Sequence, residues 1–461
     1  MDKQLHHIDI ATIELSLDVL KFALNRITFE NPEIGAPITY EDLKAKVGDT
    51  ITPEGIGGEK AFDLYKKHLL PATIPIVHPK HLAFVPAAPS RASLMFDLVT
   101  SVSSIHGSYW MEGAGGIFCE MEAMQWLVSM TGMPEGSFGV FTTGGTSANL
   151  SAIVVARDTW RRLDPDRKGK KGIIMTSEGA HSSIKSMANV IDAELKVVSG
   201  EGKLGYLALK ECWTQLSSED QKRVFAVVAT AGTTNAGIID DLKGIADFCH
   251  EKEIWFHVDG AYGGAALLVD SVRHLFDGVE RCDSFTIDPH KWLFTPYDCG
   301  AIIYKNPALA KATHAQQGSY LDIFNEKEMD GFNPSDYQVQ LTRRLRGMPL
   351  WFSLAMHGTD VYKEAVTKGI TLALEAAQLI ENHDKLELIM PPNLSVVLFR
   401  RKGWTPDDYK KWTYKNHREK TAFVTPTKVK RDNNYETVIR FCFINPDTSI
   451  EHVQQILDTI D

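Results

Sequence analysis

The sequence is poor in the features that mark secreted, metal-stapled or membrane-embedded proteins. Its six cysteines, Cys119, Cys212, Cys249, Cys282, Cys299 and Cys442, are scattered, with no CxxC pair and no zinc-ligand spacing. They read as reduced, mostly buried thiols, and no metal site is expected. No apolar run reaches the roughly 18 residues that a membrane-spanning helix needs. The opening MDKQLHHIDIATIEL carries acids where a secretory signal has an apolar core, so a cytoplasmic location is expected. Positive charge is also in deficit. Lys and Arg number 49 against 59 Asp and Glu, a formal charge of -10, which argues against a nucleic-acid partner because phosphate backbones demand a basic face.

What is present is an ordinary globular composition, 44% hydrophobic and 23% charged, over 461 residues. That length favours two or three packed units over one small core. Residues 1–70 alternate helical patterns with polar breaks, the clearest at GIGGEK, and read as a helical N-terminal arm. Residues 71–350 change to short apolar runs separated by amphipathic stretches, the signature of βα units around a parallel sheet. Residues 351–461 open with a long helical stretch and continue with the strand-like SVVLFR and TVIRFCFI, which predicts a small α+β domain.

Five apolar runs in the central region end abruptly in small or polar residues: GIIMTSEGAH, VFAVVATAGTT, IWFHVDGA, SFTIDPHK and CGAIIYKN. In open α/β sheets the carboxyl ends of the strands form the ligand crevice. The first four runs therefore bring His181, Thr233, Asp259 and the pair His290 and Lys291 to one rim. A lysine is ordinarily a surface residue, but Lys291 closes an apolar run, where its amine can become a nucleophile toward an aldehyde. An aspartate after a strand is ordinarily a helix cap. Asp259, followed by Gly260 and Ala261, instead leaves room for a flat ring and can keep a pyridine nitrogen protonated, making the ring an electron sink. His181 is placed to stack on such a ring while Ala261 packs on its other face. TTGGTSANL, residues 142–150, precedes a helical run, so its backbone N–H groups and the hydroxyls of Thr146 and Ser147 can hold a phosphate. It is neither a Walker loop nor a GxGxxG fingerprint, which weakens a nicotinamide reading.

These residues resemble a family, the group II pyridoxal-5'-phosphate (PLP) dependent decarboxylases, which include aromatic L-amino acid decarboxylase and glutamate decarboxylase. SFTIDPHKWLFTPYDCGAIIYKN is similar to the family's Schiff-base signature, with HVDGAYGG and GGTSANL upstream in the family's order. The resemblance implies fold type I of PLP enzymes: an α/β domain with a mainly parallel seven-stranded sheet, a small C-terminal domain, and an arm embracing a second copy in a homodimer. It assigns Lys291 to the cofactor aldehyde, Asp259 to the ring nitrogen, and His181 to the ring face. Thr146, Ser147 and His290 fall in the phosphate neighbourhood. Asp288 stands where the family has Asn or Asp, and Thr233 at a position near the ring. Tyr320 resembles a loop tyrosine that protonates Cα after CO2 leaves, within a lid expected over about 318–335. Arg440 is similar to an arginine that binds the substrate α-carboxylate. Pro349 departs from the pattern, since the family often has lysine there.

The function expected is therefore decarboxylation of a small-molecule L-amino acid. Phe84, Tyr109 and Trp110 lie in segments resembling the substrate-pocket walls, and GSYWMEG is closer to the aromatic branch. An acidic substrate such as glutamate or aspartate is the alternative, with His78, Lys80, His81 or Arg91 as a second positive charge. An oxygen-consuming aldehyde synthase is disfavoured by Tyr320, and a non-catalytic PLP-binding scaffold by the filled catalytic positions.

Overall fold

The first helices of the chain have apolar residues with little to pack against. The computed structural model describes residues 5–28, 32–35, 37–86, 88–200, 202–316, 331–431 and 434–460. Helices α1 (Ile10–Thr28), α2 (Tyr40–Val47) and α3 (Gly58–Leu64) form the arm. Not one residue of α1 is buried. Its Ile10, Ile13, Leu17, Leu20 and Leu24 recur every three or four residues, a single apolar stripe, and each is more than half exposed.

After α4 (Arg91–Ser103) and α5 (Trp110–Thr131), the short apolar runs of the centre become strands. They are β1 (Phe138–Thr142), β2 (Ile173–Ser177), β3 (Glu194–Val198), β4 (Val224–Thr230), β5 (Trp255–Asp259), β6 (Ser284–Ile287) and β7 (Gly300–Tyr304). The sheet order is β1-β7-β6-β5-β4-β2-β3. All pairs are parallel except those of β7 with β1 and β6. Helices cover both faces, which is why β4, VFAVVAT, is buried along its whole length instead of alternating. The carboxyl ends of β2, β4, β5 and β6 share one edge of the sheet, as their abrupt polar endings predicted. β3 escaped the sequence reading because it is an edge strand, and Glu194 and Lys196 break any apolar run. β1 escaped it because Gly139 interrupts the pattern. A Cβ at Gly139 would lie 1.9 Å from the Ile302 carbonyl oxygen, so close approach to β7 requires glycine.

The C-terminal part forms a four-stranded antiparallel sheet of β8 (Leu386–Leu388), β9 (Val396–Arg401), β10 (Thr425–Arg431) and β11 (Asn434–Cys442), in the order β10-β11-β9-β8. Phe399, Phe441, Phe443 and Trp412 centre its core. The helix Thr359–Glu381 ties this unit to the rest: Tyr362, Val366 and Ile370 join the main core, while Leu372, Ala376 and Ile380 join the C-terminal one. A short segment from the other end of the chain is stitched in as well. Leu82 and Ala83 donate their N–H groups to the Phe423 carbonyl at 2.9 and 3.1 Å, and Leu82 is fully buried in the C-terminal core. Pro349 sits in the first turn of the helix Met348–His357, where a backbone N–H is dispensable. Among the described residues no helix is long and apolar enough to cross a membrane, and all six cysteines are free.

One buried ion pair anchors the segment leading into that helix. Arg343 Nη2 lies 2.6 Å from Glu120 Oε2 on α5, and Glu120 Oε1 accepts the Gly347 N–H at 2.8 Å. Burial alone pushes the Glu120 carboxyl up, and Arg343 works against that shift. Glu120→Ala leaves a guanidinium buried without its counter-charge, which is expected to cost about 3–5 kcal/mol. The thermal unfolding midpoint checks this, and an unchanged midpoint would show that the pair carries no stability.

Candidate active site

The ends of β1, β2, β4, β5 and β6 and the segments that follow them enclose a cavity of about 330 Å³ at the carboxyl edge of the central sheet. Its floor begins where β1 hands over to α6 (Gly145–Arg162), through the sequence TTGG. Gly144 to Ser147 line the cavity, and α6 starts with no side-chain cap, so its first N–H groups are available to an anion. Ser147 Oγ is buried and makes no hydrogen bond within the protein. A Cβ at Gly145 would lie 3.0 Å from Asp288 Oδ2 and 3.1 Å from Ala261 Cβ, so glycine keeps this gap open.

The end of β5 places Asp259 in the wall, where Oδ1 accepts the Ala261 N–H at 3.1 Å and Oδ2 accepts the Asn149 amide at 2.9 Å. The turn after β6 supplies Asp288, His290 and Lys291. Lys291 Nζ is 3.0 Å from Asp288 Oδ2, and its side chain is about a quarter exposed, toward the cavity it lines. Burial disfavours its charge, but Asp288 and Asp259 outweigh burial and raise the amine above its ordinary value. Asp288 Oδ1 is buried without a hydrogen-bond partner. His290 Nδ1 accepts the Cys299 N–H at 3.0 Å, and burial pushes the ring's pKa down. His181 caps α7 (Ser182–Val190), accepting the Ser183 N–H on Nδ1 at 3.2 Å.

The structure thus gathers Thr146, Ser147, His181, Asp259, Ala261, Asp288, His290 and Lys291 around one cavity. Thr233 is set apart from them. Its hydroxyl accepts the Ile238 N–H at 3.1 Å and closes a turn, while its neighbours Gly232 and Thr234 line the cavity. Arg440 is not in the lining either. Its Nε and Nη2 hold the Thr234 carbonyl at 3.0 and 2.6 Å and its Nη1 holds the Phe84 carbonyl at 2.7 Å, so it fastens the rim from behind. Phe84 is exposed with φ +58°, and Trp110 opens α5 with its N–H on Asn333 Oδ1 at 2.9 Å. Neither lines the Lys291 cavity within one chain. Tyr320 and positions 318–330 of the expected lid lie outside the described residues.

A lysine, two aspartates and an open helix start thus share one cavity. The domain described as "Pyridoxal-dependent decarboxylase conserved domain" matches residues 59–402. The chain belongs to this family. It is a PLP-dependent amino acid decarboxylase, a carboxy-lyase. The decarboxylase is 29% identical to "Aromatic-L-amino-acid decarboxylase" of Bacillus atrophaeus, over 92% of this chain and 89% of the relative. It is 30% identical to "L-2,4-diaminobutyrate decarboxylase" of Rhizobium meliloti (strain 1021), over 78% and 73%. Its fold superposes on Oryza sativa TDC with PLP and tryptamine with a TM-score of 0.88 at 22% identity, covering 99% of each chain.

The residues of this decarboxylase fit PLP. The uncapped start of α6 and the unpartnered Ser147 hydroxyl suit a phosphate, Asp259 suits a ring nitrogen, and Lys291 suits an aldehyde, with Ala261 and His181 in the same lining. Two further residues of the site, Asn149 within TTGGTSANL and His257 within WFHVD, carry no role that the sequence alone assigns. Asn149 bridges Asp259 and the buried His257. The signal was present in WFHVD, where Trp, His and Asp recur at period two on one face of a central strand.

Proposed function

We propose that this decarboxylase acts on an aromatic L-amino acid, releasing CO2 and the corresponding amine. The observation that carries the chemistry is the Lys291 amine paired with Asp288 and under the added influence of the Asp259 charge, in one cavity with the open start of α6. In this reading Lys291 makes the covalent link to the cofactor, Asp259 holds the proton of the ring nitrogen, and His181 covers one ring face. The α6 N-terminus, Thr146 and Ser147 bind the phosphate. PLP, when bound, supplies the electron sink that makes loss of the α-carboxylate feasible.

Two observations support the aromatic choice. The Bacillus atrophaeus relative named for aromatic substrates aligns over nearly the whole chain. Of the four residues that would supply a second positive charge, His78, Lys80, His81 and Arg91, the two histidines are unsuited to it. His81 is buried against Phe423, with its ring centroid 4.8 Å away, and burial lowers its pKa to about 4. His78 is likewise lowered to about 4, by burial first and then by Lys80. Neither offers a positive charge near neutral pH. Amine and CO2 release measured over a panel of L-amino acids with added PLP tests the proposal. Preference for glutamate, aspartate or 2,4-diaminobutyrate would overturn the aromatic assignment.

The same reading includes a homodimer. The apolar stripe of α1, with the exposed Met95, Leu98, Val99 and Val102 of α4, is a surface that a second copy would cover. The double variant Leu17→Glu, Leu20→Glu is expected to sediment as a monomer where the unaltered chain sediments as a dimer. A monomeric unaltered chain would sink the idea.

Tyr320 is assigned to proton delivery at the substrate Cα once CO2 has left. Tyr320→Phe is then expected to make less amine and, in its place, aldehyde, ammonia and hydrogen peroxide with matching oxygen uptake. Unchanged amine output would transfer the role elsewhere, with His181 the next candidate.

A further inference from the structure

A row of buried polar side chains runs through the sheet and ends on Asp259. Trp255, His257 and Asp259 alternate along β5 and so share one face. Ser284, the first residue of β6, is paired beside His257. Asn149 meets them from the second turn of α6. Trp255 Nε1 lies 2.8 Å from Ser284 Oγ, which lies 2.8 Å from His257 Nδ1. His257 Nε2 lies 3.0 Å from Asn149 Oδ1, and Asn149 Nδ2 lies 2.9 Å from Asp259 Oδ2. His257, Ser284 and Asn149 are at most 1% exposed.

The direction of every bond in this row follows from its two ends. An indole N–H only donates, and an ionised carboxylate only accepts. Asn149 must therefore turn its NH2 toward Asp259, which leaves its carbonyl for His257 and puts the histidine hydrogen on Nε2. Burial pushes the His257 ring down to about 3, so it is neutral and Nδ1 is bare. Nδ1 then accepts the Ser284 hydroxyl, whose oxygen accepts the Trp255 N–H. Four hydrogen bonds point the same way, toward the carboxylate, and each polarises the next.

We infer that Asn149, His257 and Ser284 are positioning residues that lock the Asp259 carboxylate in one orientation, with a fixed N–H on Oδ2. This rests on the reading of Asp259 as the partner of the cofactor's ring nitrogen. His257 and Ser284 lie outside the cavity lining and act only through Asn149. A carboxylate that is free to rotate would meet the ring nitrogen in a smaller share of its conformations. A donor chain with all its members satisfied holds it still, because any rotation breaks a buried hydrogen bond.

The test is made on cofactor-free protein, with PLP as the probe. In protein carrying ¹⁵N-labelled histidine, His257 is expected to show the Nε2–H tautomer, unchanged between about pH 5 and about pH 8. His257→Leu removes donor and acceptor together and is expected to weaken PLP binding roughly tenfold or more. His257→Gln keeps one donor and one acceptor and is expected to restore most of that loss, which a purely space-filling role would not predict. Ser284→Ala, which deletes a single oxygen, is expected to weaken PLP binding in the same sense and serves if His257→Leu does not fold. A hydrogen on Nδ1 in place of Nε2, or unaltered PLP affinity in the folded variants, would overturn the inference. Failure of the underlying reading looks different. Asp259→Asn with unaltered kcat would remove Asp259 from its role, whatever tautomer His257 adopts.

Discussion

Lys291→Ala is expected to lose the covalent attachment of PLP and to reduce decarboxylation on the order of 10³-fold or more. Lys291 is the one lysine among the described residues lining the cavity, and its amine is 3.0 Å from Asp288. An alanine leaves no primary amine there to join the aldehyde. The visible absorption of the bound cofactor should vanish, and PLP should be lost on gel filtration. Lys291→Arg sharpens the experiment, because a guanidinium keeps the charge beside Asp288 yet is not a nucleophile at working pH. If the role of Lys291 were only to neutralise Asp288, the arginine variant would keep its activity. Turnover with the visible band intact in Lys291→Ala would defeat the central assignment.

Much of this site was legible because its residues fall where secondary structure stops. Four apolar runs ending in His181, Thr233, Asp259 and Lys291 already placed a crevice at one sheet edge, since parallel strands buried on both faces read as unbroken apolar segments. The turn expected to hold a phosphate was legible through glycines that precede a helix. What the chain order concealed were contacts that depend on register and packing. Thr233 follows the right strand, yet its hydroxyl is consumed by a local turn and the adjacent Gly232 and Thr234 face the cavity. Arg440 is in β11, far along the chain, and no spacing rule could show that its guanidinium holds the carbonyls of Thr234 and Phe84.

The arm and the edges of the sheets show the same limit. β3 carries charges because it is an edge strand, so periodicity gave no strand signal there. Residues 82–83 read as part of the large domain, but their backbone bonds to Phe423 place them against the C-terminal sheet. Such pairings join positions hundreds of residues apart, and only the folded chain reveals them.

Asp259→Asn is expected to lower kcat about 10²–10³-fold at saturating PLP, the scale on which removing one preorganised electrostatic group acts. A neutral amide cannot hold a proton on a ring nitrogen as a carboxylate can, so the loss falls on chemistry and not on affinity alone. The surroundings of Asp259 make the change worse than a simple loss of charge. Oδ1 faces the Ala261 N–H and Oδ2 faces the Asn149 NH2, so both positions call for an acceptor. An asparagine meets only one of them, and its own NH2 must oppose a donor. If Asn149 flips to relieve that clash, its NH2 confronts the Nε2–H of His257, and the conflict moves one bond further into the core. A pair of measurements separates the two effects. Thermal unfolding reports the misplaced donor, while kcat at saturating PLP reports the missing charge. Near-normal kcat in a folded Asp259→Asn protein would show that the ring nitrogen is held by another group.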